Sequence, residues 1–327
     1  MTVAARVDLV TLDDIRAAAR RLSGVAVRTP LLPVDDLTEL LGVPVYIKPE
    51  NLQRVGAFKL RGAYNLVSQL AAEGSRGVIT YSSGNHGQAT AYAAKKFGMR
   101  AVIVMPETVT AAKRSGVERL GGEVVLAGRT SDDRFLKAME IAESEALAVV
   151  PPFDHPAIIA GQGTVGLEIC DDLPDVRAVI VPTGGGGLSA GVATAVKALA
   201  RNAMVVTVEP EGAAKFAESF EQKKRVQLEK TASVADGLIT LSVGQLNYRQ
   251  LIDRVTRAVT ISDQRMVETV KYALERLKLV VEPSGAATLA WLRGCAPGAF
   301  DGPVVAVISG GNIDWNGLTG LLGGAKA

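Results

Sequence analysis

Short β-branched runs recur along the chain, each followed by a turn and then by a stretch whose apolar positions repeat at helical spacing. The runs are GVITYSS at 77–83, RAVIVMP at 100–106, AVIVPTGGGG at 178–187, VVTVEPEG at 205–212 and VVAVISGG at 304–311. The patterns between them predict helices over 87–97, 110–120, 132–146, 188–200 and 263–279. Near the start, Thr11 precedes Asp13 and Asp14, and Arg20 and Arg21 close the segment, which predicts a capped helix. Apolar strands alternating with amphipathic helices imply parallel sheets covered on both faces, an α/β fold.

The stretch PPFDHPAIIAGQGT at 151–164 breaks this rhythm. It reads either as a chain crossing between two lobes, with its glycines as hinge points, or as an ordinary long βα loop. Three strand ends carry unusual loops: SSGNHGQ, PTGGGGLSAG and SGGNID. In open α/β sheets ligands bind beyond the carboxyl ends of the strands, so these loops are expected to converge on one pocket.

Composition narrows the possibilities. With 327 residues the chain is long enough for two domains with full cores. The 36 Lys and Arg nearly balance 34 Asp and Glu, which gives no push toward nucleic acid or an anionic membrane. Two cysteines, Cys170 and Cys295, without CxxC spacing, argue against a disulfide framework or thiolate zinc site and for a reducing compartment. Two histidines exclude a His-rich metal site. The N-terminal segment carries acids where a signal peptide is apolar, and no run approaches the length of a membrane span. The expected location is the cytoplasm.

Candidate chemistry starts at Gly184, Gly185, Gly186 and Gly187, followed by a helix from Leu188. Residues without side chains let backbone N–H groups close on a phosphate, and the helix N-terminus adds a favourable field. A Walker loop is ruled out, because no Gly-Lys-Ser/Thr follows. A nicotinamide dinucleotide stays open on this segment: Gly185 to Ala190 satisfies G-x-G-x-x-A, and Glu209 ends the next strand where a ribose-binding acid belongs.

Lys59 lies in VGAFKL, with arginines at 54 and 61. An ordinary lysine amine is protonated at neutral pH, and freeing it costs about 4 kcal/mol. Apolar neighbours such as Phe58 and Leu60 lower that cost, as does a cation such as Arg61 pointing inward.

GAFKLRGA at 56–63, SSGNHGQA at 82–89, PTGGGGLSAG at 182–191, EPSGA at 282–286 and SGGN at 309–312 occur in this order. The set resembles the fold-type II pyridoxal-phosphate enzymes, specifically the threonine/serine dehydratase and serine racemase group, over essentially the whole chain. The resemblance implies a fold like the tryptophan synthase β subunit: two lobes of twisted, parallel-rich sheet, with the cofactor pyridoxal 5'-phosphate between them. The implied division is a larger cofactor-binding domain, 1–77 and 158–327, and a smaller mobile domain, 78–157. It makes Lys59 the lysine that forms the Schiff base, with Phe58 beside it. Asn85 becomes the partner of the ring hydroxyl, Gly184 to Gly187 with Leu188 the phosphate cradle, and Ser309 the partner of the pyridine nitrogen. Ser82, Ser83, Asn85 and His86 become the loop for the substrate carboxylate, and Arg134 is a further candidate for that carboxylate.

The implied reaction is α,β-elimination from a small 3-hydroxy amino acid to a 2-oxo acid and ammonia. Ser83 keeps a second outcome open, since racemase-like members carry a serine there that acts on the opposite face of the α-carbon from Lys59. Inversion needs two acid/base groups on opposite faces; elimination needs one. Members that bind a divalent cation use a strand-end Glu, a backbone carbonyl and an acid. Here Glu209 and Ala213 match the first two, but Lys215 replaces the acid, so a divalent metal is not expected. Lys215 reads either as an ammonium in the cation's place, paired with Glu209, or as a surface lysine. The fifteen residues after Asn312 are too few for the regulatory domain of biosynthetic threonine dehydratases. The resemblance also implies a homodimer.

Overall fold

The computed structural model describes residues 8–82 and 84–323. The chain first makes β1 (Leu32–Pro33) and β2 (Val45–Pro49). It then builds a separate sheet from β3 (Gly77–Tyr81), β4 (Arg100–Met105), β5 (Glu123–Leu126) and β6 (Ala148–Val149). It returns to the first sheet with β7 (Ala178–Pro182), β8 (Met204–Pro210), β9 (Arg257–Ile261) and β10 (Val304–Ile308). The larger sheet has the order β1-β2-β10-β7-β8-β9 and is parallel except for β1; the smaller, β5-β4-β3-β6, is parallel throughout.

Side-chain alternation along the strands explains why both faces of each sheet are covered. Ala178 and Ile180 of β7 join one core with Leu289 and Met266, while Val179 and Val181 join another with Val192 and Ile159. Likewise Ile103 and Met105 of β4 face one core, and Val102 and Val104 the other. Fully buried parallel strands thus read as unbroken apolar runs.

The predicted elements are present with ends shifted by a few residues; the helix expected over 87–97 runs Asn85–Lys96, and that over 188–200 runs Gly187–Leu199. Thr11 caps the helix Leu12–Leu22 in a reciprocal pair with Asp14, with Arg20 and Arg21 in its last turn. The helix expected over 263–279 holds an α-helical course over Asp263–Tyr272, widens over Ala273–Leu277 and stops at Lys278, whose φ is 59°.

The segment 151–164 does carry the chain from the smaller sheet to the larger, but its glycines are not hinge points. Pro156 opens a helix, Pro156–Asp172, capped by the His155 side chain, and Gly161 and Gly163 lie inside it. A Cβ on Gly161 would stand 2.5 Å from the Arg61 carbonyl oxygen, and one on Gly191 would stand 2.3 Å from that of Ile159. The small residues let three helices approach backbone to backbone, which fixes the segment instead of bending it.

Candidate active site

Every loop singled out from the sequence leaves the carboxyl end of a strand. Thr183 and the four glycines follow β7, Ser309 follows β10, and Ser82 to His86 follow β3. Lys59 opens the helix Lys59–Ala72, reached from β2 through two short helical turns. The turn before it is strained: Val55 has φ 57° and Gly56 φ 70°. A β-branched residue in the left-handed region is held there only by its surroundings. One restraint is Asn312, whose Nδ2 donates to Val55 O at 2.7 Å.

A closed circuit of contacts joins the turn at Lys59, the glycine loop and the Ser309 loop. Lys59 Nζ donates to Pro152 O at 2.7 Å, and the next residue, Phe153, packs on the glycine loop. A Cβ on Gly185 would fall 2.2 Å from the Phe153 ring, so only glycine fits there. A Cβ on Gly184 would stand 2.7 Å from Gly237 O. Gly237 N in turn donates to Ser284 Oγ, Ser309 Oγ to Ser284 O, and Phe58 N to Ser309 O. The circuit ends beside Lys59.

Part of the Lys59 side chain faces solvent, yet protein encloses its amine closely enough that desolvation lowers the pKa to about 8. Arg61 plays no part in this. It is buried, but Glu50 and Glu168 neutralise it at 2.8 and 2.6 Å, and Lys48 joins the same cluster through Glu168. Burial alone therefore makes the amine available.

His86 is buried, and its Nε2 meets Val150 O at 3.0 Å. A carbonyl only accepts, so the proton sits on Nε2. Burial and then the charge of Lys59 push the imidazole down to about 3, so it is neutral at physiological pH. Asn85 is held from both sides: Asn312 Nδ2 donates to its Oδ1 at 2.8 Å, and its Nδ2 donates to Glu282 Oε1 at 2.7 Å. That fixes the direction of the amide. Arg134 Nη2 donates to Ser131 Oγ, and its buried Nε has no partner among the described residues. Ser83 lies outside the described residues.

Three participants were not read from the sequence. Glu282 stands in the quoted EPSGA motif without a role; burial, reinforced by Asp236, raises its carboxyl to about 7. Asn247 donates to Gly185 O at 2.7 Å, bracing the glycine loop, and nothing in its sequence context marks it. Lys113, beside the smaller sheet, pairs with Asp236, which belongs with the larger. Two surface cavities of about 350 and 340 Å³ do not include Lys59; Asn65 and His155 line one, Arg61 and Glu168 the other.

A half-buried lysine with a lowered pKa, beside a glycine loop at the strand ends, makes a site for a phosphorylated carbonyl cofactor. The chain belongs to the family of pyridoxal-phosphate dependent enzymes, whose model matches residues 22–310. It is similar to the L-threonine ammonia-lyase of Thermotoga maritima, with 39% identity over 94% of this chain and 77% of that one. It is also similar to the serine racemase of Schizosaccharomyces pombe, with 38% identity over 94% and 95% of the two chains. The structure of maize serine racemase superposes with a TM-score of 0.90 at 34% identity, covering 94% of this chain and 95% of that one.

The site fits pyridoxal phosphate. The four glycines bring no side chains of their own to the head of a helix, and the buried Thr183 Oγ1 and Asn247 Oδ1 beside them have no partners among the described residues. It does not fit a divalent cation at Glu209. Lys215 is buried, not a surface lysine, and its Nζ pairs with Glu209 Oε1 at 2.9 Å. No group of three or more His, Cys, Asp or Glu able to hold a metal is present among the described residues. Nor is any helix among them long and apolar enough to cross a membrane.

Proposed function

We propose that the protein is a pyridoxal-phosphate dependent ammonia-lyase that takes threonine or serine to a 2-oxo acid and ammonia. The observation that carries this reading is Lys59, whose amine is lowered to about 8 and tied through Pro152 and Phe153 to the glycine loop. When bound, the cofactor withdraws electrons from the substrate α-carbon. The chain supplies the rest. Lys59 Nζ would hold the cofactor and, as a free amine, would take the α-proton of the substrate. Gly184 to Gly187, with Leu188 behind them, hold the phosphate, and Phe58 flanks the lysine. Asn85 would donate its remaining N–H to the ring hydroxyl, and Ser309 would turn to the ring nitrogen the hydroxyl hydrogen it gives Ser284 O at 3.4 Å here. A hydroxyl would not keep that nitrogen protonated as a carboxylate does, so the ring would withdraw electrons less strongly. Ser82, Ser83 and His86 with nearby backbone N–H groups orient the substrate carboxylate, His86 as a neutral imidazole. The division into a larger domain, 1–77 and 158–327, and a mobile smaller one, 78–157, is supported by the two separate sheets.

Racemisation of serine is the second reading, favoured by Ser83 and by the similarity to the fission-yeast racemase; 3-hydroxyaspartate is the alternative substrate within either. The test is a visible spectrum of the purified protein before and after borohydride, followed by product analysis with L-serine and L-threonine. A yellow band lost on reduction, with 2-oxo acid produced, supports the lyase. D-serine as the main product selects the racemase. A protein that stays colourless with added pyridoxal phosphate overturns both.

A further inference from the structure

The glycine loop is tied down from beneath by a buried ammonium. Lys215 opens the helix Lys215–Gln222, and neither it nor Glu209, near the end of β8, has any exposed surface. Lys215 Nζ stands 2.9 Å from Glu209 Oε1, 2.8 Å from Leu238 O, 3.0 Å from Ala213 O and 3.3 Å from Thr183 O. Four oxygens converge on one nitrogen. An ammonium has three N–H donors and no acceptor, so an all-oxygen shell suits it; a neutral amine would turn its lone pair on an oxygen. Burying that charge alone would be prohibitive, but the carboxylate neutralises it and the carbonyls complete its surroundings.

The carboxylate is saturated as well. Glu209 Oε2 accepts from Phe216 N at 2.9 Å and Ala217 N at 2.7 Å, and Oε1 accepts the longer arm of the Phe216 N–H at 3.1 Å beside the ammonium. A shell of one carboxylate and several carbonyls is the kind a hard dissolved cation takes. Its members also come from places that matter. Thr183 immediately precedes Gly184, and Leu238 follows Gly237, whose carbonyl abuts Gly184. The nitrogen therefore joins the root of the glycine loop to the turn at 236–238.

We propose that Lys215 is a tethered cation that takes the place of a free ion, cross-linking the glycine loop to the 236–238 turn so that the folded protein needs no dissolved cation there. A free ion occupies such a shell only as its concentration allows, whereas a side chain is present in every molecule. The inference rests on this cluster and is indifferent to the choice between lyase and racemase.

The test is thermal unfolding of the full-length holoenzyme after exhaustive chelation, in potassium, ammonium, magnesium or calcium chloride, each matched in ionic strength with tetramethylammonium chloride. The wild-type Tm is expected to stay within about 1 °C across the series, against the roughly 5 °C expected for a stabilising site near saturation. Lys215→Asp, which restores an acid beside Glu209, is expected to melt lower in chelator and to regain about 5 °C with magnesium or calcium, saturably. A saturable rise of the wild-type Tm with any of the four cations overturns the proposal, and needs no variant to fold. A folded Lys215→Asp protein indifferent to both divalent ions overturns it too.

Discussion

Asn85 Nδ2 donates to Glu282 Oε1 at 2.7 Å, joining the first residue of a helix beside the smaller sheet to the residue that precedes a helix of the larger. Each partner is constrained elsewhere, Asn85 by Asn312 and Glu282 by burial. A carboxyl raised to about 7 at this junction makes the contact sensitive to pH near neutrality.

The sign of that sensitivity follows from linkage. Glu282 holds its proton more tightly in the folded chain than in the unfolded one, so stability falls as pH rises from about 4.5 to about 7. The loss is about 3 kcal/mol at one 1.36 kcal/mol step per unit. Urea unfolding of cofactor-free protein at pH 5 and pH 7.5 measures it, and Glu282→Gln should flatten this part of the profile. Parallel profiles for the two proteins would assign the dependence to other groups.

Lys59 makes the opposite kind of prediction. Its folded pKa is lowered, so the folded state disfavours the ammonium, and that cost is present below about 8 and gone above its ordinary value. In cofactor-free protein, carbamylation of Lys59 by cyanate, followed by peptide mapping, should reach half its limiting rate near pH 8. A midpoint above 10 would mean that the amine is solvated. Lys59→Ala should abolish both borohydride-trapped cofactor and turnover.

Gly185→Ala drives a methyl group into the Phe153 ring. Overpacking of this kind costs about 1–3 kcal/mol, and here it also deforms the phosphate cradle. Cofactor affinity, read by fluorescence titration, should drop at least about tenfold on the scale of 1.4 kcal/mol per decade. The double variant Gly185→Ala/Phe153→Ala removes the obstacle and should recover most of it. An equally weak double variant would show that the clash is not the cause.

The buried cluster around Arg61 predicts a loss of stability. Arg61→Ala leaves Glu50 buried and Glu168 largely so, with Lys48 still paired to Glu168, and breaking such a pair costs about 3–5 kcal/mol. Lys113→Ala, which removes a pair open to solvent, should cost less than about 1 kcal/mol. Denaturant midpoints of the two variants give the comparison; similar losses would contradict the burial argument.

What the sequence revealed, and what it hid, divides along physical lines. Strands buried on both faces announce themselves as apolar runs, so β3, β4, β7, β8 and β10 were legible. The strands EVVL and RAVTI, at 123–126 and 257–261, are short and partly exposed, and their sequences do not stand out. The helix at 156–172 was hidden because its glycines mimic a loop; their reason is the approach of neighbouring backbones, which no local pattern carries. Lys59, Asn85 and the glycine loop stood out as candidates because they lie in contiguous motifs. Glu282, Asn247 and the Lys113–Asp236 pair acquire meaning only when distant segments meet. Arg61 shows the limit most plainly: it does point inward, but Glu50 and Glu168 cancel its charge.

The order of strands in the two sheets also sets an order of events during synthesis. Strands β3 to β6 follow one another and need nothing else to pair, whereas β2 waits for β10, with Val45 opposite Val304. Loop closure over so long a separation is slow, and the edge of β2 meant for β10 stays bare until the chain is nearly finished. Pulse-labelled hydrogen exchange during refolding should therefore protect the amides of 77–105 before those of 45–48. The early arrival of the smaller sheet would leave the unfinished larger one as the species most exposed to aggregation, and so the natural client of a chaperone.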